Sequence, residues 1–172
     1  MQNVMLVVLA LFLVALNGFF VAAEFGIVTL RKTRVRAIAK TQGLRGRILG
    51  KVHGQLDAYL SACQLGITLA SLGLGWVGEP AFASLLEPFL TAVGVDSPKL
   101  VHSIAFIFAF GVISFLHIVV GELAPKSLAI RMPEAVGLWC APVLYAFYWA
   151  MYPFIWVLNA CANMVLRLAG LS

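Results

Sequence analysis

The sequence predicts an all-α integral membrane protein with three transmembrane helices, followed by a cytoplasmic belt of interfacial, juxtamembrane helices. Composition predicts the class, because 62% of the 172 residues are hydrophobic and 11% are charged, whereas soluble domains are about 45–50% apolar and about 25% charged. The number of helices follows from apolar stretches long enough to cross the roughly 30 Å hydrocarbon core of a bilayer. We expect residues 1–172 to form a single membrane domain.

Three apolar stretches are predicted to span the membrane. The first, residues 4–30, holds one ionisable group, Glu24. It has no basic segment before it and is too long for a cleaved signal peptide, so we expect it to be retained. The second, residues 58–77, is rich in Gly, Ser and Thr, which allow membrane helices to approach closely. The third covers residues 100–123.

The basic residues predict the orientation. Eight of the twelve Lys and Arg lie between residues 31 and 51, with no acid among them. The positive-inside rule makes residues 31–57 a cytoplasmic loop and places the N-terminus outside. Residues 78–99 then form an external loop with a short helix around residues 81–90. We expect a multi-pass protein of the cell membrane, plasma or inner, with a cytoplasmic C-terminus and no nucleic-acid partner.

The last apolar stretch, residues 135–168, is long enough for a fourth span, but its composition favours interfacial helices. Trp and Tyr, which concentrate at membrane interfaces, occur throughout its first half. Pro142 and Pro153 are predicted to break it into helices that are individually too short to cross. We therefore predict a belt of helices lying on the cytoplasmic face of the membrane.

Two carboxylates, Glu24 and Glu122, fall within the predicted spans. An ionisable group there costs about 2.5–3.5 kcal/mol and marks a functional site by default. Glu24 lies roughly 9 Å from the inner end of the first span at 1.5 Å per residue. Asn17, seven residues earlier, continues the same polar stripe outward.

The second span carries a polar face at a matching depth. Gln64, Thr68 and Ser71 follow an i, i+4, i+7 pattern and therefore share one side of a helix. Glu122 lies near the inner end of the third span. We expect these groups to meet in the inner half of the bilayer.

The stretch GELAP, residues 121–125, predicts an oxygen site for a cation. In an α-helix the Gly121 carbonyl would accept a hydrogen bond from residue 125, but Pro125 has no N–H. Such a carbonyl is tolerated at membrane depth where it faces protein or a water-filled cavity, and the broken helices of transporters use it to coordinate cations. Glu122 adds a carboxylate, and the pair suits Mg²⁺, Na⁺ or Ca²⁺.

Structural alternatives are open for these residues. Glu122 can reach cytoplasmic water and pair with Lys126 at i+4, and Glu24 can bond to a neighbouring helix. The matching depth of both carboxylates and the polar face favours the cation site. His117 can join that site, but we favour a role in helix packing. The three cysteines lack the spacing of metal ligands or redox pairs and are expected to be small buried hydrophobes.

Four stretches occur in order along the chain: NGFFVAAEFGIVTLRKTRVRAIA at 17–39, QLGITLASLGLGWVGEP at 64–80, GELAPKSLAIRMPE at 121–134 and YPFIWVLN at 152–159. Together they resemble the transmembrane domain of the CorC/CNNM family of magnesium transporters. The resemblance implies a homodimer of three-span subunits with a cytoplasmic juxtamembrane belt, and Mg²⁺ bound among the spans in an inward-facing cavity. It also implies transport coupled to Na⁺ entry.

Members of this family usually continue into cytosolic CBS domains that bind ATP and into a CorC-type domain. Those domains are absent from the 172 residues, so we expect an isolated membrane domain whose full-length protein supplies CBS domains as partners. The carried-over site is firmest for the GExxPK pattern, residues 121–126. It is weaker in the second span, where animal relatives have an Asn-rich face.

The residues and the resemblance together predict Mg²⁺ transport, as Na⁺-coupled export by alternating access. The predicted metal ligands are Glu122, Gly121, Ser71, Thr68, Gln64 and Glu24, with coupling or structural support from Asn17, Pro125 and Lys126. Two alternatives stay open, a carrier of another hard divalent cation and a membrane-anchored Mg²⁺ sensor or scaffold without flux. No enzyme is expected, because no nucleophile–base set or cofactor loop occurs.

Overall fold

A computed structural model describes residues 2–95 and 97–171. Within them the chain consists of helices joined by short connections. The elements are α1 (Gln2–Thr29), α2 (Lys32–Thr41), α3 (Gly43–Gly54), α4 (Leu56–Ala92), α5 (Pro98–Ile118), a π turn (Val119–Leu123), α6 (Ala124–Arg131), α7 (Pro133–Ala150) and α8 (Tyr152–Leu168). The predicted all-α membrane fold is confirmed.

Three helical segments are long and apolar enough to cross a membrane: Val4–Thr29, Leu56–Ala92 and Pro98–Arg131. They contain the three predicted spans. Helices α7 and α8 meet at a bend of 84°, and the two together would count as a fourth, broken span. The placement of α7 and α8 as a cytoplasmic belt stays a prediction.

A segment predicted as a cytoplasmic loop is helical. The basic segment 31–57 consists largely of α2 and α3, because its apolar residues Val35, Ile38, Leu49 and Val52 are buried while its cations stay exposed. A stretch that can bury one side of a helix gains more from packing than from remaining an open loop.

The helix predicted around residues 81–90 is present and is longer than predicted, because α4 continues through Pro80 and Pro88 to Ala92. A proline inside a helix costs about 3 kcal/mol. Ala81 and Ala83 are buried, so close packing on this part of α4 offsets that cost. Of the described residues that follow, 93–95 and 97 lie outside the helices.

By its internal contacts the chain divides into two compact units. The first consists of Met1–Gly18 and Ile67–Pro125. Small and branched residues form its core, with Leu13 and Phe82 packed against Ala10, Val14, Leu74 and Ile113. These side chains bring α1, α4 and α5 together within the unit.

The second unit consists of Phe19–Gly66 and Lys126–Ser172. Helix α3 packs against α7, and Tyr59 stacks on Tyr148 with 4.4 Å between ring centroids. Arg34 donates two hydrogen bonds to the Glu134 carboxylate, one of them 3.0 Å long. The hydrogen bonds from Arg34 lower the pKa of Glu134 below its ordinary value.

The prolines of the last stretch act differently from one another. Pro142 lies inside α7 without ending it, contrary to the prediction, and Pro153 lies in the first turn of α8. A proline is tolerated in the first turn of a helix because its missing N–H would have no helical partner there. The break between α7 and α8, at Met151, therefore lies next to Pro153 and not next to Pro142. Of the cysteines, Cys63 and Cys140 are buried as predicted, whereas Cys161 is exposed.

Candidate cation site

A π turn replaces the predicted helix end at GELAP. The N–H of Ala124 donates to the carbonyl of Val119, five residues back, and α6 then continues to Arg131. Because Pro125 has no N–H, the donor that an α-helix would offer to the carbonyl of Gly121 is missing. Such π turns are rare and occur frequently at functional sites.

Asn17 takes up the released carbonyl. Its Nδ2 donates to the Gly121 carbonyl oxygen at 2.9 Å, and its Oδ1 accepts from the Ser71 hydroxyl at 2.9 Å. Asn17 is 0% exposed, so both ends of a fully buried amide are satisfied, as buried polar groups require. One amide therefore joins α1, α4 and the π turn.

His117 extends the cluster towards Glu122. Its Nε2 lies 3.3 Å from the Ser71 Oγ and 3.8 Å from the Glu122 Oε1. In a regular α-helix, residues five apart point about 140° away from each other. The π turn adds a residue to the turn and brings His117 and Glu122 to the same side of the helix. The Glu122 carboxylate is partly exposed.

Two glycines make this approach possible. A Cβ on Gly18 would lie 3.0 Å from the Pro125 Cγ and 3.1 Å from the Val120 carbonyl oxygen. A Cβ on Gly121 would lie 3.2 Å from the Asn17 Nδ2. These distances are tighter than ordinary van der Waals contacts, so glycine at both positions keeps α1 against the π turn.

The structure brings together only part of the predicted set. Asn17, Ser71 and Gly121 are joined by hydrogen bonds, and Glu122 is reached through His117. Thr68 belongs to the same unit and is exposed on α4.

The remaining predicted residues belong to the second unit. Glu24 lies partly buried on α1 and Gln64 is exposed on α4. Lys126 has its Nζ 4.9 Å from the centroid of the Phe25 ring. Their roles in the site stay predictions.

The sequence predicted helix packing for His117 and coupling or structural support for Asn17. The structure places both side chains within hydrogen-bonding distance of the Ser71 hydroxyl, and their roles stay predictions. The signal for His117 was its position five residues before Glu122, just ahead of a glycine and a proline that release a helical hydrogen bond. That spacing has meaning only if a π turn forms.

The cluster offers oxygen atoms of four kinds: a carboxylate, a main-chain carbonyl, a hydroxyl and an amide. Among the described residues, no three or more His, Cys, Asp or Glu are grouped to hold a metal ion. Mg²⁺ keeps several of its waters and is bound through one or two carboxylates. A single glutamate beside neutral oxygens fits that preference.

The chain is similar to a family of transporter-type membrane domains, which is not a known enzyme family. The family described as the cyclin M transmembrane N-terminal domain matches residues 8–172. The chain therefore belongs to the CorC/CNNM family, which is generally linked to the transport of Mg²⁺ or other divalent cations.

Similar proteins include three from Bacillus subtilis strain 168. UPF0053 protein YugS is 45% identical over 158 residues, which are 92% of this chain and 37% of YugS. UPF0053 protein YhdT is 46% identical over 93% of this chain and 34% of its own length. UPF0053 protein YhdP is 44% identical over 99% of this chain and 38% of its own length. The chain thus spans little more than a third of these relatives.

Proposed function

We propose that this domain carries Mg²⁺ across the membrane and that the ion binds at the π turn, with the Glu122 carboxylate and the Gly121 carbonyl as its principal ligands. One observation carries the proposal: Pro125 frees a buried carbonyl oxygen one residue from a carboxylate. The family's link to divalent-cation transport and the preference of Mg²⁺ for hard oxygen ligands support it.

Ser71 and Asn17 complete the proposed site. The Ser71 hydroxyl can rotate and the Asn17 Oδ1 has a second lone pair, whereas the Gly121 oxygen binds the ion when the Asn17 Nδ2 withdraws from it. Thr68, exposed on the same helix as Ser71, is proposed as a further oxygen ligand.

The proposed reaction is export of Mg²⁺ coupled to Na⁺ entry by alternating access. The net positive run at residues 31–51 supports a cytoplasmic position for α2 and α3, and hence an outside N-terminus in a cell membrane. A homodimer and cytosolic CBS domains in the full-length protein are proposed from the family alone.

A flux assay tests the transport function. The chain is reconstituted into proteoliposomes with a trapped Mg²⁺ dye, and flux is recorded with and without an opposing Na⁺ gradient. We expect Na⁺-dependent flux that Glu122→Gln reduces at least about tenfold, because the substitution removes the charge that compensates the ion's lost hydration. Glu79→Gln, which removes another carboxylate of the same unit outside the cluster, should leave flux unchanged.

The outcomes separate the alternatives. Flux without a Na⁺ gradient that still needs Glu122 would retain the site and refute the coupling. Absence of flux with Mg²⁺ still protecting the wild type from unfolding would favour a sensor or scaffold. Equal flux in wild type and Glu122→Gln would remove the π turn as the ion site.

A further inference from the structure

An apolar groove of about 320 Å³ lies on the second unit. Its volume falls within the range of small-molecule sites, about 300–1,000 Å³. Residues of α1, α6 and α7 and the residue that follows α6 line it: Phe19, Ala22, Leu128, Met132, Ala135, Val136, Trp139 and Cys140. Every lining surface is apolar, so the groove has no means of holding a polar group within itself.

A cation is fixed against one wall of this groove. The guanidinium carbon of Arg45 lies 4.3 Å from the centroid of the Trp139 ring, within the range of a cation–π contact. Trp139 is 69% exposed, and Arg45 is exposed as well. The guanidinium therefore keeps its hydrogen-bond donors available for an anion while its position is set by the indole.

The same arrangement recurs six residues further along both helices. Lys51 of α3 has its Nζ 5.9 Å from the centroid of the Tyr145 ring of α7. Helix α3 thus places a second cation beside an aromatic ring of α7. Tyr and Trp with neighbouring cations are typical of the level of lipid headgroups.

The surroundings of Arg45 are strongly positive. Of the eight cations between residues 31 and 51, Arg34 pairs with Glu134. Among the described residues, none of the other seven has a carboxylate partner. Such a surface attracts anionic lipid headgroups in proportion to its basic residues.

We propose that this groove binds an anionic phospholipid, with an acyl chain along Trp139 and the headgroup phosphate on Arg45. Charge complementarity selects this occupant, because an apolar slot beside an unneutralised guanidinium matches a molecule with an anionic head and a hydrocarbon tail. The inference is independent of the proposed transport function, since none of these residues belongs to the cation site.

Native mass spectrometry of the 172-residue chain in detergent tests the proposal, because it counts bound lipids one by one. The probes are phosphatidylglycerol, phosphatidylcholine with the same acyl chains, and soluble glycerol 3-phosphate. We expect the first phosphatidylglycerol to bind about tenfold more tightly than phosphatidylcholine, and glycerol 3-phosphate not to bind. Equal binding of the two lipids, or binding of glycerol 3-phosphate alone, would overturn the proposal.

Variants locate the site. Arg45→Gln should weaken phosphatidylglycerol about fivefold, because one basic residue near an anionic surface contributes on the order of 1 kcal/mol. It should weaken phosphatidylcholine by less, because the choline cation offsets the charge of the phosphate. Arg47→Gln removes an equally exposed cation of α3 that contacts no ring, and serves as the matched control. If both variants lose the same affinity for phosphatidylglycerol, the lipid responds to the general surface charge, and a defined site at Arg45 is refuted.

The groove itself is tested by filling it. Ala135→Phe places a ring in the slot without touching a cation, and should weaken the binding of both lipids while the chain unfolds at the wild-type temperature. If Ala135→Phe binds phosphatidylglycerol as the wild type does, the acyl chain lies elsewhere and the proposal fails.

Discussion

Replacing Pro125 by alanine should separate the stability of the domain from its affinity for Mg²⁺. The substitution restores an N–H at residue 125, which can bond to the Gly121 carbonyl and turn the π turn into regular α-helix. No side-chain ligand is removed. The Gly121 oxygen would then be occupied within the helix, and His117 and Glu122 would rotate apart.

Three terms set the expected change in stability. Alanine is favoured over proline inside a helix by about 3 kcal/mol. The proline ring packs near Gly18, where an added Cβ would lie 3.0 Å from its Cγ, and losing about two methylenes of that packing costs about 1.6 kcal/mol. Losing the Asn17–Gly121 hydrogen bond costs about 0.6–1.5 kcal/mol. The net free energy of unfolding should therefore stay within about 1 kcal/mol of the wild type.

Affinity should change far more than stability. We expect Pro125→Ala to weaken Mg²⁺ binding at least tenfold, which corresponds to about 1.4 kcal/mol, because the carbonyl ligand is lost and Glu122 is turned away. Calorimetric titration with Mg²⁺ measures the affinity, and denaturant unfolding in detergent measures the stability. Pro142→Ala, a proline inside α7 with no π turn beside it, is the control and should bind Mg²⁺ normally. Unchanged affinity in Pro125→Ala would show that the Gly121 carbonyl is not a ligand.

Three further predictions follow from the same contacts. Gly121→Ala should destabilise the domain by about 1–3 kcal/mol in denaturant unfolding, because its Cβ would crowd Asn17, whereas Gly111→Ala, which meets open space, should be neutral or stabilising. Asn17→Ala should cost about 1–3 kcal/mol in the same measurement, because it leaves the buried Gly121 carbonyl unsatisfied; wild-type stability would show that another donor replaces the amide. Because Arg34 lowers the folded-state pKa of Glu134, this ion pair should stabilise the fold above the ordinary glutamate pKa of about 4.3 and lose that effect as pH falls through the lower folded value. The melting temperature of Arg34→Gln should then fall less steeply with acid than that of the wild type, and parallel curves would contradict the assignment.

The sequence predicted the chemical groups of the site better than the backbone geometry that holds them. That Pro125 cannot supply the α-helical donor to the Gly121 carbonyl follows from covalent structure alone, and in the structure the Asn17 side chain donates to that carbonyl. What the helix does next does not follow, because a proline can end a helix, kink it or shift one turn to π geometry. The close approach of Gly18 to the Pro125 ring favours the last of these, and that approach is a tertiary contact.

Helix ends were the weakest part of the prediction for a related reason. Pro142 was predicted to break the last stretch but lies inside α7, and α4 likewise continues through Pro80 and Pro88. A proline costs a fixed amount locally, whereas the packing that offsets it depends on which residues are buried, as Ala81 and Ala83 are in α4. The length of an apolar stretch, by contrast, is set by the thickness of the membrane that it must cross. That length correctly predicted all three long helices.

The hydrogen bond from Asn17 gives the proposed cycle a physical basis. An unpaired carbonyl at membrane depth is unfavourable, so a transporter that frees one for its ion must satisfy it again when the ion leaves. The Asn17 amide does this, since its Nδ2 donates to the Gly121 oxygen while Ser71 bonds to its Oδ1. On the proposed function, Mg²⁺ and this N–H compete for one oxygen, so ion release is matched by formation of a hydrogen bond.

Asn17→Asp then becomes the decisive variant: it keeps the acceptor for Ser71 but removes the donor, and it should retain Mg²⁺ while slowing turnover. A variant that binds and transports at the wild-type rate would show that the exchange plays no part in the cycle.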